Sequence, residues 1–205
     1  MKGMKNYMII EAIIIGLFIG VIRRGKLSRL GYLKINLSAL VILALVSFIS
    51  IIVMNIGLLD FNSNLYNIFL VITYSLIIIV LAFNLDKRYM FMPLIGVMMN
   101  FICLCLNNFR TPVKSDIITH LYGAEMTTLL SSNKVKFFIP AEGAKLNALG
   151  KIFYIGDYYF YDIILSIGDI IIFFGIILLI QHLMTDKYLK TRDSITLSRS
   201  LFKKK

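Results

Sequence analysis

Acidic residues are scarce in this chain. Its 205 residues carry 11 Asp and Glu against 22 Lys and Arg, a formal charge of +11. Cysteine occurs twice and histidine twice. Cys103 and Cys105 lie two apart, so on a helix they point about 200° from one another. They make neither a metal-binding pair nor a disulfide framework, and are expected to pack as small hydrophobes. His120 reads as a surface or packing residue of an outer helix. No His, Cys, Asp or Glu cluster has metal-ligand spacing, and no glycine-rich phosphate loop occurs, so no metal and no cofactor is expected. Alternating ten-residue strand segments are also missing, which argues against a membrane barrel.

What is present is apolar length. The chain is 59% hydrophobic with mean hydropathy +0.82, too apolar for a soluble domain of this size. A helix needs about 20 apolar residues to span a bilayer. Five runs approach or reach that length: 7–22, 37–59, 65–85, 90–106 and 162–184. Helices satisfy their own backbone groups in lipid. The expected fold is therefore an all-α membrane protein, one domain over 1–184 with five transmembrane helices. An outer segment, 107–161, of roughly 50 residues is too long for a connector, and 185–205 is a basic cytoplasmic tail.

Lys2 and Lys5 precede the first run, but no small-residue cleavage site follows it, so it reads as an uncleaved helix. Gly16 and Gly20 within it have the GxxxG spacing that lets a second helix approach. Arg23, Arg24, Lys26, Arg29 and Lys34 follow with no acid among them. Lys87 and Arg88 separate the third and fourth runs, and the tail from Thr185 holds seven Lys and Arg against two acids. With five spans these three segments fall on one side, the cytoplasmic side by the positive-inside rule. The N-terminus and the outer segment then lie outside. Basic residues placed beside apolar runs serve topology and lipid headgroups, so lipids rather than nucleic acid are the expected partners.

Within the outer segment Ser115 is placed to cap a helix over 116–130. Ile117, Ile118, Leu121, Tyr122, Met126, Leu129 and Leu130 give that helix an apolar stripe. Residues 134–139 read as extended and stopped by Pro140, and 141–149 as a second short helix ended by Gly150. Phe153, Tyr154, Tyr158, Tyr159, Phe160 and Tyr161 suit a membrane-interface belt, or a ligand mouth.

Asp169 is the most informative residue, an acid set inside an apolar run. A carboxylate at the bilayer centre costs at least about 2.5 kcal/mol, so it needs a partner facing the bundle interior. If helix begins near 161, Asp162, Ser166, Asp169 and Phe173 share one face, with Asp169 about 12 Å in. Glu11, Asn55, Asn100, Asn107 and Arg110 fall at similar depth, while the inner halves of the helices are nearly all apolar. A polar pocket opening outward is expected from Glu11, Asn55, Asn100, Asn107, Arg110, Asp162, Ser166 and Asp169. The same groups also suit a structural latch, Arg110 pairing with Asp169 or Asp157. Buried polar contacts between helices contribute about 0.6–2 kcal/mol each.

Residues Asn107-Asn108-Phe109-Arg110-Thr111-Pro112-Val113, Leu149-Gly150, Gly156-Asp157 and Ser166-Ile167-Gly168-Asp169, with the Arg- and Gly-bearing linker at 23–30, resemble a family of small bacterial multi-pass membrane proteins of unknown function (DUF5317-like). That family has a Gly-Arg-Met-Pro-Val-like segment where this chain has Phe109 to Val113, and a Ser-Ile-Gly-Asp element that is matched fully. The resemblance implies architecture and no activity. The last helix is also locally similar to lipoprotein signal peptidase, which implies two aspartates sharing a proton to activate water. Asp169 would be one, with Asp157, Asp162 or Glu11 as the other; the Gly-Asn-x-x-Asp-Arg element of that family is absent.

The expected function is non-enzymatic: a bacterial plasma-membrane protein binding a lipid, small amphiphile or partner helix at the outward pocket. A second copy or another membrane protein is a further expected partner. The alternatives are an intramembrane aspartyl hydrolase and a small transporter subunit.

Overall fold

The computed structural model of the chain describes residues 8–56, 58, 62–87, 89–132, 135, 137–156 and 162–186. It is mostly helical. The apolar runs form α1 (Met8–Ile22), α2 (Ser38–Asn55), α3 (Ser63–Ala82), α4 (Phe91–Leu106) and a last helix, α7 (Ile167–Thr185). Of these, α2, α3 and α7 are long and apolar enough to cross a membrane; α1 and α4 are apolar but shorter, at 15 and 16 residues. Asn62 sets the start of α3, its side chain accepting from the N–H groups of Asn64 and Leu65 at 3.0 and 3.2 Å.

The run 162–184 does not begin as helix. Ile163–Leu165 form a strand, β4, antiparallel to β3 (Phe153–Ile155), with Tyr154 opposite Ile164. β-Branched Ile163 and Ile164 suit that extended pairing, and Ser166 then caps α7. The helical face expected from Asp162, Ser166, Asp169 and Phe173 is thus corrected: Asp162 precedes a strand, and Asp169 lies in the first turn of α7 rather than two turns in.

α7 packs between α1 and α4, α3 packs on α4, and α2 packs on α3. The five apolar helices therefore stand in the row α1, α7, α4, α3, α2. The end helices are the most open. Ile10, Ile14, Phe18 and Ile22 on α1, and Ile42, Leu45, Val46 and Ile49 on α2, are each more than half exposed, an apolar surface suited to lipid rather than water. Small residues set the close crossings. α1 buries Ala12, Gly16 and Gly20, and a Cβ on Gly16 would stand 3.1 Å from Ile180 Cβ on α7. Between α4 and α7, a Cβ on Gly96 would stand 2.5 Å from Gly168 O.

Polar groups also occur where the sequence reading expected only apolar packing. Between α2 and α3, Thr73 donates to Ser47 Oγ at 2.9 Å, and Ser47 donates to Phe69 O at 2.9 Å. At the C-terminal end of α7, Arg23 donates to Gln181 Oε1 and Arg29 to Met184 O, both at 2.9 Å. Arg29 there meets one of the last backbone carbonyls of the helix. Asn84, fully buried, exchanges hydrogen bonds with the backbone of Asn36 at 2.8 and 3.0 Å. Both basic connections, after α1 and after α3, thus lie at the same end of the row as the α7 C-terminus.

The other end carries a small α+β cap. β1 (Thr111–Val113) pairs in parallel with β2 (Phe138–Pro140), and Val113 also bridges Lys151. The expected helix 116–130 is broken into α5 (Ser115–Tyr122) and α6 (Ala124–Ser131) by Gly123, whose φ of +83° no helix continues through. Its apolar stripe is used as a core: Val113, Ile117, Ile118, Leu130 and Ile164 are buried together, whereas Leu129 is 43% exposed. Ser115 does not cap α5. It is the first helical residue, and its N–H and hydroxyl donate to the Glu142 carboxylate at 3.1 and 2.8 Å. The expected helix 141–149 is two short 3-10 turns, Ala141–Gly143 and Asn147–Leu149. The second touches both α4 and α7, and β1 touches α4, which seats the cap on the central helices. Tyr158 to Tyr161 lie outside the described residues.

Candidate functional site

Two neighbouring polar features lie where the cap meets the helices. The first is built on the start of α7. Ser166 Oγ accepts from Asp169 N at 3.0 Å, and Asp169 Oδ2 accepts from Ser166 N at 2.9 Å, a reciprocal capping box. Asn100 on α4 closes the ring: its Nδ2 donates to Asp169 Oδ1 at 2.9 Å and its Oδ1 accepts from Ser166 Oγ at 2.8 Å. Gly168 makes room, because any Cβ there would collide with the Asn100 amide. Lys151 completes the set. Its backbone is fixed by the bond from its N–H to Pro112 O at 2.7 Å, and its ammonium reaches Asp169 Oδ2 at 3.1 Å and Ile164 O at 3.3 Å. Asn100, Lys151, Ser166 and Asp169, with Tyr74 and Cys103, line a cavity of about 70 Å³, room for a few waters.

The Asp169 carboxylate thus receives three donors, one of them the positively charged Lys151. Among the described residues no second carboxylate lines this cavity. Proton sharing between paired aspartates needs two acids in close contact, and Asp157 lies outside the described residues.

The second feature is a wider cavity of about 580 Å³ at the junction of α4 and the cap. Asn107, Arg110, Ser131 and Lys145 line its polar part, and Leu106 and Ile139 its apolar part. Asn107 ends α4 and is buried. Its Nδ2 donates to Cys103 O and Lys145 O, both at 2.8 Å, and its Oδ1 accepts from Lys145 N at 2.9 Å. One side chain therefore holds the Lys145 backbone against the end of α4.

The structure divides the expected site residues. Asn100, Ser166 and Asp169 meet at the clasp, while Asn107 and Arg110 line the junction cavity. Asp162 is elsewhere, accepting from the Tyr154 hydroxyl at 2.7 Å. Glu11 is half-buried in the first turn of the end helix α1, Asn55 is exposed at the last turn of α2, and neither lines either cavity. The partner facing Asp169 is Lys151. Lys151 and Lys145 were not singled out from the sequence. The signal for Lys151 was the requirement for a cation, which a short list of outer-segment bases met equally well.

A family model, Family of unknown function (DUF5317), matches residues 32–181, nearly three quarters of the chain, and the chain belongs to that family. No curated protein and no solved structure matches it.

Proposed function

We propose that this protein is a non-enzymatic, multi-pass component of the bacterial plasma membrane that binds a membrane lipid or similar small amphiphile at the junction between its helices and an outward-facing cap. The proposed arrangement has five spans, with the N-terminus outside and the C-terminus cytoplasmic. The gathering of both basic connections at one end of the row supports that direction. α1 and α4, roughly 23 Å long at 1.5 Å per residue, would cross a core of about 30 Å with local thinning of the bilayer.

The observation that carries the reading is the junction cavity, whose lining is mixed, with polar Asn107, Arg110, Ser131 and Lys145 beside apolar Leu106 and Ile139. A site with both characters at the end of a helix bundle suits a molecule with a headgroup and a tail. The clasp at Asp169 has a different role in this reading. Its carboxylate is neutralised by Lys151, which favours fastening the cap over acid–base chemistry. Native mass spectrometry of protein purified in mild detergent tests the proposal. A bound lipid or amphiphile surviving purification is expected, and repeated absence of any bound species would refute it.

A further inference from the structure

We infer that the connection between α1 and α2, Arg24 to Leu37, is a foot that binds an anionic phospholipid of the leaflet it rests on, with Arg24 and Lys26 as the headgroup contacts. This surface is at the opposite end of the row from the junction cavity and is independent of it. It requires only that the helices lie in a bilayer.

The connection lies where a span meets the headgroups. It is tied to the end of α7, the Lys26 N–H and the Arg29 guanidinium both donating to Met184 O at 2.9 Å. It leads into α2, and both α2 and α7 are long and apolar enough to cross a membrane. Its 3-10 helix, Leu27–Tyr32, buries none of its own residues. Leu27 is 57% exposed, and Tyr32, Ile35 and Leu37 are exposed as well. This apolar surface continues the open faces of α1 and α2, and the boundary between headgroups and acyl chains is what covers such side chains.

Charge selects the headgroup. Residues 23–37 carry five Lys and Arg and no acid. Two of the five are engaged within the protein, Arg23 with Gln181 and Arg29 with Met184 O. Arg24 and Lys26 are both exposed. The described acids at this end have other neighbours: Asp86 stands 3.3 Å from Lys87, and Asp186 stands 3.8 Å from His182. Basic residues immediately beside a span attract anionic lipid, and a guanidinium matches two phosphate oxygens with its planar fork.

The backbone singles out Arg24. α1 ends in a Schellman turn, the Gly25 N–H donating to Gly20 O and the Arg24 N–H to Val21 O, each at 2.9 Å. Such a turn sets one residue in the left-handed conformation, and that residue is usually glycine. Here it is Arg24, with φ of 59°. Leu37, at the far end of the connection, is also left-handed, with φ of 60°. Strained residues of this kind gather at ligand clamps, and both of these present their side chains to the surroundings rather than to the protein.

Full-length protein in nanodiscs of phosphatidylcholine mixed with phosphatidylglycerol, released and weighed by native mass spectrometry, tests this. Phosphatidylglycerol should be enriched on the protein over its share in the disc, each of the two bases contributing about fivefold. Arg24→Gly should lose that factor while raising the thermal midpoint, because glycine suits the turn better. Arg24→Lys should keep the enrichment. Lys26→Gln should lose a similar factor with the midpoint unchanged, since the bond to α7 uses the Lys26 backbone. Lys114→Gln, on the cap, should leave the enrichment as it is. Full enrichment in either Arg24→Gly or Lys26→Gln would overturn the inference, whatever the junction cavity holds. An equal loss in Lys114→Gln would also overturn it, reducing the effect to net charge, as would the absence of any preference for phosphatidylglycerol in the unaltered protein.

Discussion

Lys151 Nζ stands 3.1 Å from Asp169 Oδ2, joining the cap to the first turn of α7 across 18 residues of sequence. Both side chains are largely shielded, at 18% and 13% exposure. Bringing either charge there alone would be unfavourable, so each group requires the other. The pair marks the place where the cap is fastened to the helices.

Removing one partner should therefore cost more than removing both. Lys151→Met alone, leaving the Asp169 carboxylate uncompensated, should destabilise the protein by about 3 kcal/mol. The double variant Lys151→Met with Asp169→Asn should recover more than additivity allows, with a coupling of about 1–3 kcal/mol. Denaturant unfolding in a fixed detergent reads both. Strict additivity would remove the fastening role.

The crossing of α4 and α7 should tolerate no methyl group. A Cβ on Gly96 meets Gly168 O at 2.5 Å, which is backbone and cannot swing away. Gly96→Ala should cost about 1–3 kcal/mol through overpacking. Gly143→Ala, where nothing lies within 4 Å of the added carbon, is the matched control and should be close to neutral. Equal thermal midpoints for the two variants would contradict the packing described.

Phe109 sits at a φ of 58°. Left-handed backbone costs a non-glycine residue about 1–2 kcal/mol. The ring recovers part of this by packing on Ile51, Leu70 and Leu104. Phe109→Ala loses the packing and keeps the strain, whereas Phe109→Gly loses the packing and relieves it. Thermal unfolding should rank Phe109→Gly above Phe109→Ala by about 1 kcal/mol, the reverse of their order in an ordinary helix.

The cap should respond to acid through Glu142. Partial burial works against its charged form, but hydrogen bonds from its own backbone and from the Ser115 hydroxyl and N–H, with Lys114 nearby, hold the carboxyl below the ordinary glutamate value. Its folded value is depressed, so its stabilisation is complete above the ordinary value of about 4.3 and is lost as pH falls through the lower folded value. Glu142→Gln should lower cap stability at neutral pH and flatten that acid limb. An unchanged limb, read by hydrogen exchange of α5 amides, would contradict the assignment.

Much of the helical frame was legible because apolar length and polar punctuation act locally. The starts and ends of α1 and α4 follow directly from their runs, and Gly16 and Gly20 lie on the face that meets α7. What escaped depended on contacts distant in sequence. Residues 163–165 are apolar enough to read as helix, and only pairing with Phe153–Ile155 makes them a strand. That shift of the helix start moved Asp169 from the interior of a span to its first turn and removed Asp162 from its side. Arg110 was the cation expected beside Asp169, and only the bridge to Val113 brings Lys151 there. Asn84 and Gln181 gave no periodic signal, because a single buried amide is decided by the backbone it faces, here that of Asn36, or by one side chain, here Arg23.

The central claim is that the capped end of the row faces outward, and labelling of single cysteines in intact cells tests it most directly. In a Cys103→Ala, Cys105→Ala background, Lys114→Cys on the cap and Lys26→Cys after α1 are treated with a membrane-impermeant maleimide. The account predicts that Lys114→Cys is modified in intact cells and Lys26→Cys only after permeabilisation. Modification of Lys26→Cys from outside, with Lys114→Cys protected, would contradict it.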